Sequence, residues 1–155
     1  MDQSHIQVLL EKSNQFPTDK RIAGIHCIPV TDQGMIVMAW DKDEQVLTTI
    51  GGRVEGNETL TEALDREALE EAGIVLGSER IPFATWYWTN TDTYTIYVLA
   101  RIASFLPMKS DFEKSGYVIF NFDTATQMIL KAEGAGERTQ ILGFAEELAT
   151  ELGWI

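Results

Sequence analysis

Residues 52–74 read GRVEGNETLTEALDREALEEAGI and contain the most clearly predicted helix of the chain. Thr59 and Glu62 have the spacing of a capping box, in which each side chain accepts a hydrogen bond from the other residue's backbone N–H. Gly73 stands where helices commonly end in the left-handed conformation. The pattern therefore predicts a helix over residues 59–72, preceded by a loop that starts at the glycine pair 51–52, where the backbone can approach a ligand closely.

Carboxylates occupy the side of this helix that should face the protein interior. At about 100° per residue, Leu60 and Leu64 mark the inward side. Glu67 and Glu71 fall in the same sector, and Glu70 lies beside it. Like charges three and four residues apart destabilise a helix by about 0.2–0.5 kcal/mol per pair, and burial adds to the cost. A divalent cation such as Mg²⁺ or Mn²⁺ would neutralise them, whereas a solvated acidic face is the alternative interpretation.

Composition limits the classes of protein to which the chain can belong. It has 155 residues, 45% of them apolar, and a net charge of −12. These values predict one globular domain over residues 1–155 and disfavour a partner that is a nucleic-acid polymer, because like charges repel. Cys27 is the only cysteine, so a disulfide scaffold is excluded. No apolar run is long enough for a membrane span and the N-terminus lacks signal-peptide features, so we expect no membrane partner and a cytoplasmic location.

The order of the predicted elements indicates an α+β fold with a mixed or antiparallel sheet packed by helices. Helices are predicted at 4–16 and 138–152, in addition to the helix at 59–72. A loop is predicted at 106–115. Strands are predicted at 21–30, 35–40, 46–50, 81–88, 93–104 and 117–122.

The segment 52–74 resembles the sequence motif of the Nudix hydrolases, which include the MutT-like nucleoside triphosphate pyrophosphohydrolases. That motif is Gly, five residues, Glu, seven residues, Arg-Glu, an aliphatic residue, one residue, Glu-Glu, one residue, Gly and an aliphatic residue, and Ala68 fills the first aliphatic position here. The matching positions are Gly52, Glu58, Arg66, Glu67, Glu70, Glu71, Gly73 and Ile74. The family often has proline where Ile50 stands, and its common Glu-x-Gly-Glu run reads Glu55-Gly56-Asn57-Glu58 here; neither departure removes a ligand. The resemblance implies an α/β/α sandwich with a mixed β-sheet.

The resemblance also implies a metal-dependent mechanism. Nudix enzymes cleave a nucleoside diphosphate linked to another group, through attack of a metal-activated water on phosphorus. Carried over by position, Glu67, Glu70 and Glu71 would hold Mg²⁺ or Mn²⁺, and the Gly52 carbonyl is a candidate further ligand. Arg66, which the helical wheel places toward the outer side, would orient the glutamates. Glu58 would not touch the metal but would help to position the residues that hold it.

Two roles stay open at the sequence level. The general base would be Glu67 in some members of the family and a glutamate of a later loop in others. Here that loop offers Glu113, for which the alternative interpretation is a surface carboxylate. Arg53 directly follows Gly52 and is either a phosphate contact or an exposed arginine.

Three further side chains have alternative interpretations. His26 is expected to be a hydrogen-bonded core histidine, with Cys27 on the opposite face of the same strand. Trp86 and Trp88 share one face of a predicted strand. They would either pack in the core or in a hairpin, or stack on a nucleobase.

The expected reaction is Mg²⁺-dependent hydrolysis of a nucleoside triphosphate, oxidised bases included, to the monophosphate and pyrophosphate. The alternatives are hydrolysis of ADP-ribose, a dinucleoside polyphosphate or a nucleotide sugar, and a domain that binds nucleotides without catalysis. The expected partner is a small-molecule nucleotide, and the sequence leaves a homodimer open. The three glutamates of the motif, Glu67, Glu70 and Glu71, are intact and favour the enzyme, because a domain that only binds nucleotides does not need their mutual repulsion.

Overall fold

The computed structural model describes residues 8–108 and 114–155. Eight strands and three helices are present in these ranges. In chain order they are β1 (Val8–Lys12), β2 (Arg21–Val30), β3 (Ile36–Asp41), β4 (Val46–Thr48), β5 (Ile50–Arg53), α1 (Leu60–Ala72), β6 (Ile74–Trp88), β7 (Thr93–Phe105), β8 (Lys114–Phe120), α2 (Phe122–Glu133) and α3 (Glu137–Glu151).

The strands form one mixed sheet in the order β1-β6-β7-β2-β3-β4. Strand β5 pairs with β2, and β8 pairs with β3. Strands β2 and β7 run parallel, whereas the other pairs are antiparallel. The predicted α+β class with a mixed sheet is therefore confirmed.

Helices cover both faces of the sheet, because neighbouring strand residues alternate between two apolar cores. On β2, Cys27 belongs to the core beneath α1, while Ile28 belongs to the core beneath α2 and α3. Strand β7 repeats the pattern, with Val98 on the α1 side and Leu99 on the other. The layers are those of an α/β/α sandwich. Within the described residues, no helix combines the length and apolar character that a membrane span requires.

Helix α1 begins and ends as the sequence predicts. The Thr59 side chain accepts a hydrogen bond from the Glu62 backbone N–H at 3.1 Å, and the Glu62 side chain accepts one from Thr59 N–H at 3.0 Å. Gly73 ends the helix in the left-handed conformation, with φ 62°. These two caps set the length of the helix that carries the acidic side chains.

The predicted helix over residues 4–16 is wrong in the part that the structure describes. Residues 8–12 form β1, an edge strand that pairs antiparallel with the end of β6 and aligns Leu10 with Trp86. The apolar spacing that suggested a helix serves the sheet instead. Leu10 packs on the core beneath α2 and α3, while Leu9 is exposed. Pairing along β6 satisfies the backbone groups of this segment, which a short isolated helix would satisfy less well.

The other differences concern strand and helix limits. The predicted strand over 46–50 is two strands, because β4 pairs with β3 and β5 pairs with β2. Strand β6 begins at Ile74, earlier than predicted. The predicted strand over 117–122 ends at Phe120, since Asn121 caps helix α2 by accepting a hydrogen bond from Thr124 N–H at 2.7 Å. Helix α2 itself was not predicted, whereas α3 confirms the helix expected at 138–152.

The capping box at the start of α1 should contribute measurably to stability. Thr59→Ala removes the side-chain acceptor and is expected to lower the free energy of unfolding by about 1 kcal/mol. Chemical denaturation measures this change. The control is Thr61→Ala, an exposed position in the same turn, which should change stability by less than about 0.5 kcal/mol. Equal losses in the two variants would show that the cap is not the source.

Candidate active site

The site includes the glycine pair of β5, a strand that pairs with β2 and contacts α1. Gly51 has φ 154°, a conformation that glycine adopts without strain. A Cβ atom there would collide with the Ile25 carbonyl oxygen and lie 2.5 Å from His26 Cα. The Gly51 N–H donates to Glu71 Oε2 at 3.0 Å. The backbone at position 51 can therefore approach β2 and α1 this closely only because it has no side chain.

Gly52 brings the backbone into contact with the next carboxylate. A Cβ atom at this position would lie 2.6 Å from Glu67 Oε1. The missing side chain thus leaves a cradle that the Glu67 carboxylate fills. Glu71, one helical turn further along α1, is 4% exposed and has the Gly51 N–H as a partner. The inward orientation that the wheel predicts for Glu67 and Glu71 is present in the structure.

Arg66 donates hydrogen bonds to three of the acidic side chains of the site. Its Nε donates to Glu58 Oε2 at 2.7 Å, and its Nη1 donates to Glu67 Oε1 at 2.9 Å. The same Nη1 donates to Glu70 Oε2 at 3.4 Å, and Nη2 donates to the Arg53 carbonyl at 3.1 Å. The wheel misplaced this side chain because a helical wheel shows only the direction of the Cβ atom. The long arginine stem folds back over the end of the loop.

These contacts give two carboxyl groups opposite pKa shifts. The hydrogen bonds from Arg66 and from the Glu55 backbone lower the pKa of Glu58. Burial raises the pKa of Glu67, although Arg66 opposes the shift, and the neighbouring Glu70 charge adds to it. The Glu67 side chain is 13% exposed and that of Glu58 is 21% exposed, so desolvation weighs more on Glu67. The site therefore concentrates negative charge where water is partly excluded.

The donor atoms fit a hard divalent cation. Glu67, Glu70 and Glu71 offer carboxylate oxygens, which Mg²⁺ and Mn²⁺ prefer, and the Gly52 cradle places backbone beside one of them. As the side chains lie, no three His, Cys, Asp or Glu groups of the described residues are arranged to share a metal ion. Arg66 engages Glu67 and Glu70 instead. The chemistry of the donors fits the predicted ligand set, while the present contacts are those of an ion-pair network.

Two cavities share one wall, and the second of them reaches the strand end whose Arg53 carbonyl accepts a hydrogen bond from Arg66. The first, of about 560 Å³, lies between the sheet and the segment that joins α2 to α3. The second, of about 510 Å³, reaches Gly52 and Arg53. Residues that line both are His26, Trp88 and Thr95, so the cavities form adjoining parts of one groove.

Aromatic side chains form one wall of the first cavity. Trp86 and Trp88 stack with ring centroids 5.4 Å apart, and Trp86 also stacks on Tyr97 at 6.2 Å. His26 stacks on Tyr97 at 5.4 Å, and its Nδ1 shares a hydrogen bond of 2.9 Å with Thr49 Oγ1. His26 is thus hydrogen-bonded as predicted, but it stands in a cavity wall and not in the core. Cys27 lies on the opposite face, as predicted, fully buried.

The lining of the first cavity also includes acidic side chains that sequence reasoning did not assign. They are Asp41, Glu44, Glu133 and Glu137. Arg138 donates to both carboxylate oxygens of Glu133, at 3.1 and 2.9 Å, and so fixes the segment between α2 and α3. The glycines at 134 and 136 mark a turn in the sequence, but only the tertiary structure shows that this turn faces Trp86 and Trp88. The second cavity contains Arg21, which sequence reasoning also missed.

The predicted residues divide into those that meet at this site and those that do not. The group brought together comprises Gly52, Arg53, Glu58, Arg66, Glu67, Glu70 and Glu71. Arg53 contributes its carbonyl to Arg66, while its side chain is exposed and lines the second cavity. Glu113, the candidate base of the later loop, lies outside the described residues.

Comparison with known structures supports the fold. The pyrophosphohydrolase BsRppH from Bacillus subtilis is similar with a TM-score of 0.71 and 20% identity, over 99% of this chain and 96% of that chain. A Nudix hydrolase from Nitrosomonas europaea gives a TM-score of 0.62 and 17% identity, over 84% and 90%. The MutT protein from Methanosarcina mazei Go1 gives 0.56 and 18%, over 88% and 98%. No curated protein matches the sequence significantly.

The family comparison covers most of the chain. The model of the NUDIX domain matches residues 20–142, which include all of the acidic network and the shared wall of the two cavities. The match also extends well beyond the motif at 52–74, from β2 to the first part of α3. The chain therefore belongs to the Nudix family of hydrolases.

Proposed function

We propose that this protein hydrolyses a nucleoside triphosphate to the nucleoside monophosphate and pyrophosphate with the aid of Mg²⁺ or Mn²⁺. The observation that carries the proposal is the adjoining pair of cavities, one aromatic and acidic, the other ending at Gly52 and Arg53. A nucleotide has the same polarity, with a flat base at one end and anionic phosphates at the other. The whole chain, residues 1–155, is proposed to act as one domain.

The first cavity suits the base. Trp88 lines both cavities and stacks on Trp86, so a base could extend this stack from Trp88, and base–aromatic stacking contributes about 1–3 kcal/mol per base. Its carboxylates, including Glu44 and Glu137, can accept hydrogen bonds from base N–H groups. The same carboxylates repel phosphate, which directs the phosphates away from this end.

The second cavity suits the phosphates. Arg53 lines it and stands next to Gly52, whose missing side chain leaves the space that the Glu67 carboxylate occupies. A phosphate chain that runs from the shared wall toward Gly52 would reach the edge of the acidic network. The anhydride to be cleaved would then lie where Glu67, Glu70 and Glu71 could hold a metal ion. This ion, when bound, supplies charge neutralisation on the phosphates and lowers the pKa of a water molecule.

The side chains around the carboxylates have supporting roles in this proposal. Arg66 holds Glu67 and Glu70 in position through its Nη1 and takes Glu58 as its second partner. The reaction breaks a phosphate anhydride bond, adds the oxygen of water to one phosphorus and releases a proton. Glu67 is one candidate acceptor for that proton, and Glu113 is the other.

Hydrolysis products in ¹⁸O-labelled water test the proposal directly. The panel contains nucleoside triphosphates, oxidised guanine nucleotides, ADP-ribose, dinucleoside polyphosphates and nucleotide sugars, each with Mg²⁺. We expect monophosphate and pyrophosphate from a triphosphate, with the label on one of the two products. Turnover restricted to ADP-ribose or a dinucleoside polyphosphate would show that the substrate is that compound and not a nucleoside triphosphate. Binding without turnover of any compound would favour the non-catalytic alternative.

Charge at Glu71 should matter more for the rate than for folding. In Glu71→Gln the amide oxygen can still accept the hydrogen bond from Gly51 N–H, so the fold should persist. The loss of the carboxylate charge should lower kcat by at least about 100-fold, as for other key electrostatic groups. Steady-state kinetics measure this. Glu55→Gln is the control, because that side chain is 69% exposed and lies 3.8 Å from Arg66. A fully active Glu71→Gln enzyme would contradict the assignment of the carboxylates.

Divalent metal should be required for activity and should stabilise the fold. Excess chelator should abolish turnover. Thermal melts should shift upward with Mg²⁺, because a ligand of the folded state adds about 2.7 kcal/mol at a hundred times its Kd. The double variant Glu67→Gln with Glu71→Gln should lose most of this shift. A matched variant with Glu79→Gln and Glu146→Gln, two exposed carboxylates elsewhere, should keep it. A full shift in the first double variant would place the metal at other residues.

The aromatic wall should affect substrate affinity. Trp88→Leu removes a stacking surface and is expected to raise KM by about fivefold or more, given the strength of base–aromatic stacking. Tyr87→Leu is the matched control, because residue 87 directly precedes Trp88 in the strand and lines neither cavity. If both variants keep the parent KM, the first cavity does not hold the base.

A further inference from the structure

Two of the six arginines of this chain have no partner among the described residues. Arg66 bonds Glu58, and Arg80 pairs with Asp65 at 2.6 Å. Arg138 pairs with Glu133 at 2.9 Å, and the Arg101 guanidinium lies 4.6 Å from the ring centroid of Trp154. Arg21 and Arg53 are the remaining two, and both line the second cavity. Both side chains are exposed, and together they make the second cavity locally cationic in a protein with net charge −12.

The sheet places these two arginines at the same end of neighbouring strands. Arg21 is the first residue of β2 and aligns with Thr93 of the parallel strand β7. Arg53 is the last residue of β5 and aligns with Gly24 of β2. Their positions follow from strand pairing and not from each other's sequence context, which is why residues 32 apart in sequence reach one cavity.

The surroundings of the two arginines suit an anion. Gly24 forms part of the cavity wall, and a Cβ atom there would lie 3.1 Å from Thr95 Oγ1 and 3.3 Å from the Gly52 carbonyl oxygen. Other wall groups are neutral donors, such as the side chains of Asn90 and Thr91. Within the described residues no Asp or Glu lines this cavity, whereas four line the adjoining one. Lys20, which precedes Arg21, is instead bound to Asp92 at 3.1 Å.

We propose that Arg21 and Arg53 together form a subsite for the terminal phosphate of the substrate, and that this subsite selects triphosphates over substrates without a terminal phosphate. The inference rests on the proposed function and extends it, since Arg53 alone was a candidate contact. A terminal phosphate carries about −1.5 to −2 at pH 7, more than a phosphate that is bridged on both sides. Guanidinium groups bind such oxygens bidentately, with charge-assisted hydrogen bonds. ADP-ribose and dinucleoside polyphosphates have no such group to offer.

The subsite is connected to the acidic network through the backbone. Arg66 Nη2 donates to the Arg53 carbonyl at 3.1 Å, so the residue that holds Glu67 also fixes the strand end that carries Arg53. The terminal phosphate and the carboxylates would therefore be positioned by one framework. Arg21 acts by contact with the substrate and not through the carboxylates.

Calorimetric binding of inorganic tripolyphosphate, at a fixed free Mg²⁺ concentration, tests the subsite without turnover. The full chain is compared with Arg21→Ala, Arg21→Gln and Arg53→Ala. Each variant is expected to weaken binding by about tenfold or more, as for loss of a hydrogen bond to a charged group. Lys131→Ala, which removes an equal charge from the exposed surface of α2, should leave the Kd within about twofold of the parent. Thermal melts identify any variant that fails to fold, and Arg21→Gln then replaces Arg21→Ala.

The kinetic arm separates this inference from the proposed function. Arg21→Ala should lower kcat/KM for a nucleoside triphosphate by about tenfold, mainly through KM, and should change any turnover of ADP-ribose by less than about twofold. Tripolyphosphate binding that is unchanged in Arg21→Ala would overturn the subsite even if the parent hydrolyses triphosphates. A parent that binds tripolyphosphate through both arginines but hydrolyses no triphosphate would retain the subsite and refute the proposed reaction.

Discussion

The contact between helix α1 and the glycine pair of β5 is the constraint on which the rest of the site depends. Gly51 N–H donates to the buried Glu71 carboxylate, and the missing side chain of Gly52 makes room for Glu67. A hydrogen bond to a charged group contributes about 1.5–3 kcal/mol, and a buried carboxylate without its donor is destabilising. The acidic side of α1 can therefore face the sheet only where backbone N–H groups come this close. The glycine pair fixes the helix against β5, and the second cavity reaches the same strand at Gly52 and Arg53.

Arg66 neutralises only part of the negative charge of the glutamates around it. One guanidinium faces Glu58, Glu67 and Glu70, so the cluster keeps an excess of negative charge. Burial holds the pKa of Glu67 above its ordinary value, which shows that desolvation outweighs the attraction of Arg66 at this carboxyl. Further positive charge would relieve the excess. The same property that makes the network costly in isolation makes it suited to a divalent cation and the phosphates that come with it.

The two ends of the groove carry side chains of opposite charge, although the protein as a whole is strongly acidic. Acidic and aromatic groups line one end, and the arginines 21 and 53 line the other. Alternation along β7 contributes to this arrangement, since Thr95 and Tyr97 face the groove while Ile96 faces the core beneath α1. A substrate with one flat end and one anionic end can then bind in a single direction. The direction follows from side-chain placement.

The sequence by itself determined the caps of α1, the inward placement of Glu67 and Glu71, most strands and the family resemblance. These features depend on residues close together in the chain, through helical periodicity, capping and fixed motif spacing. Tertiary structure decided what depends on distant residues. Strand β1 forms because β6 offers an edge to pair with, and α2 begins where its Asn121 cap ends β8. The Arg66 side chain folds back because its acceptors lie on a loop that precedes the helix. The placement of Arg21 and Arg53 in one cavity is decided only by the pairing of β2 with its neighbours, since local spacing carries no information about which strands lie side by side.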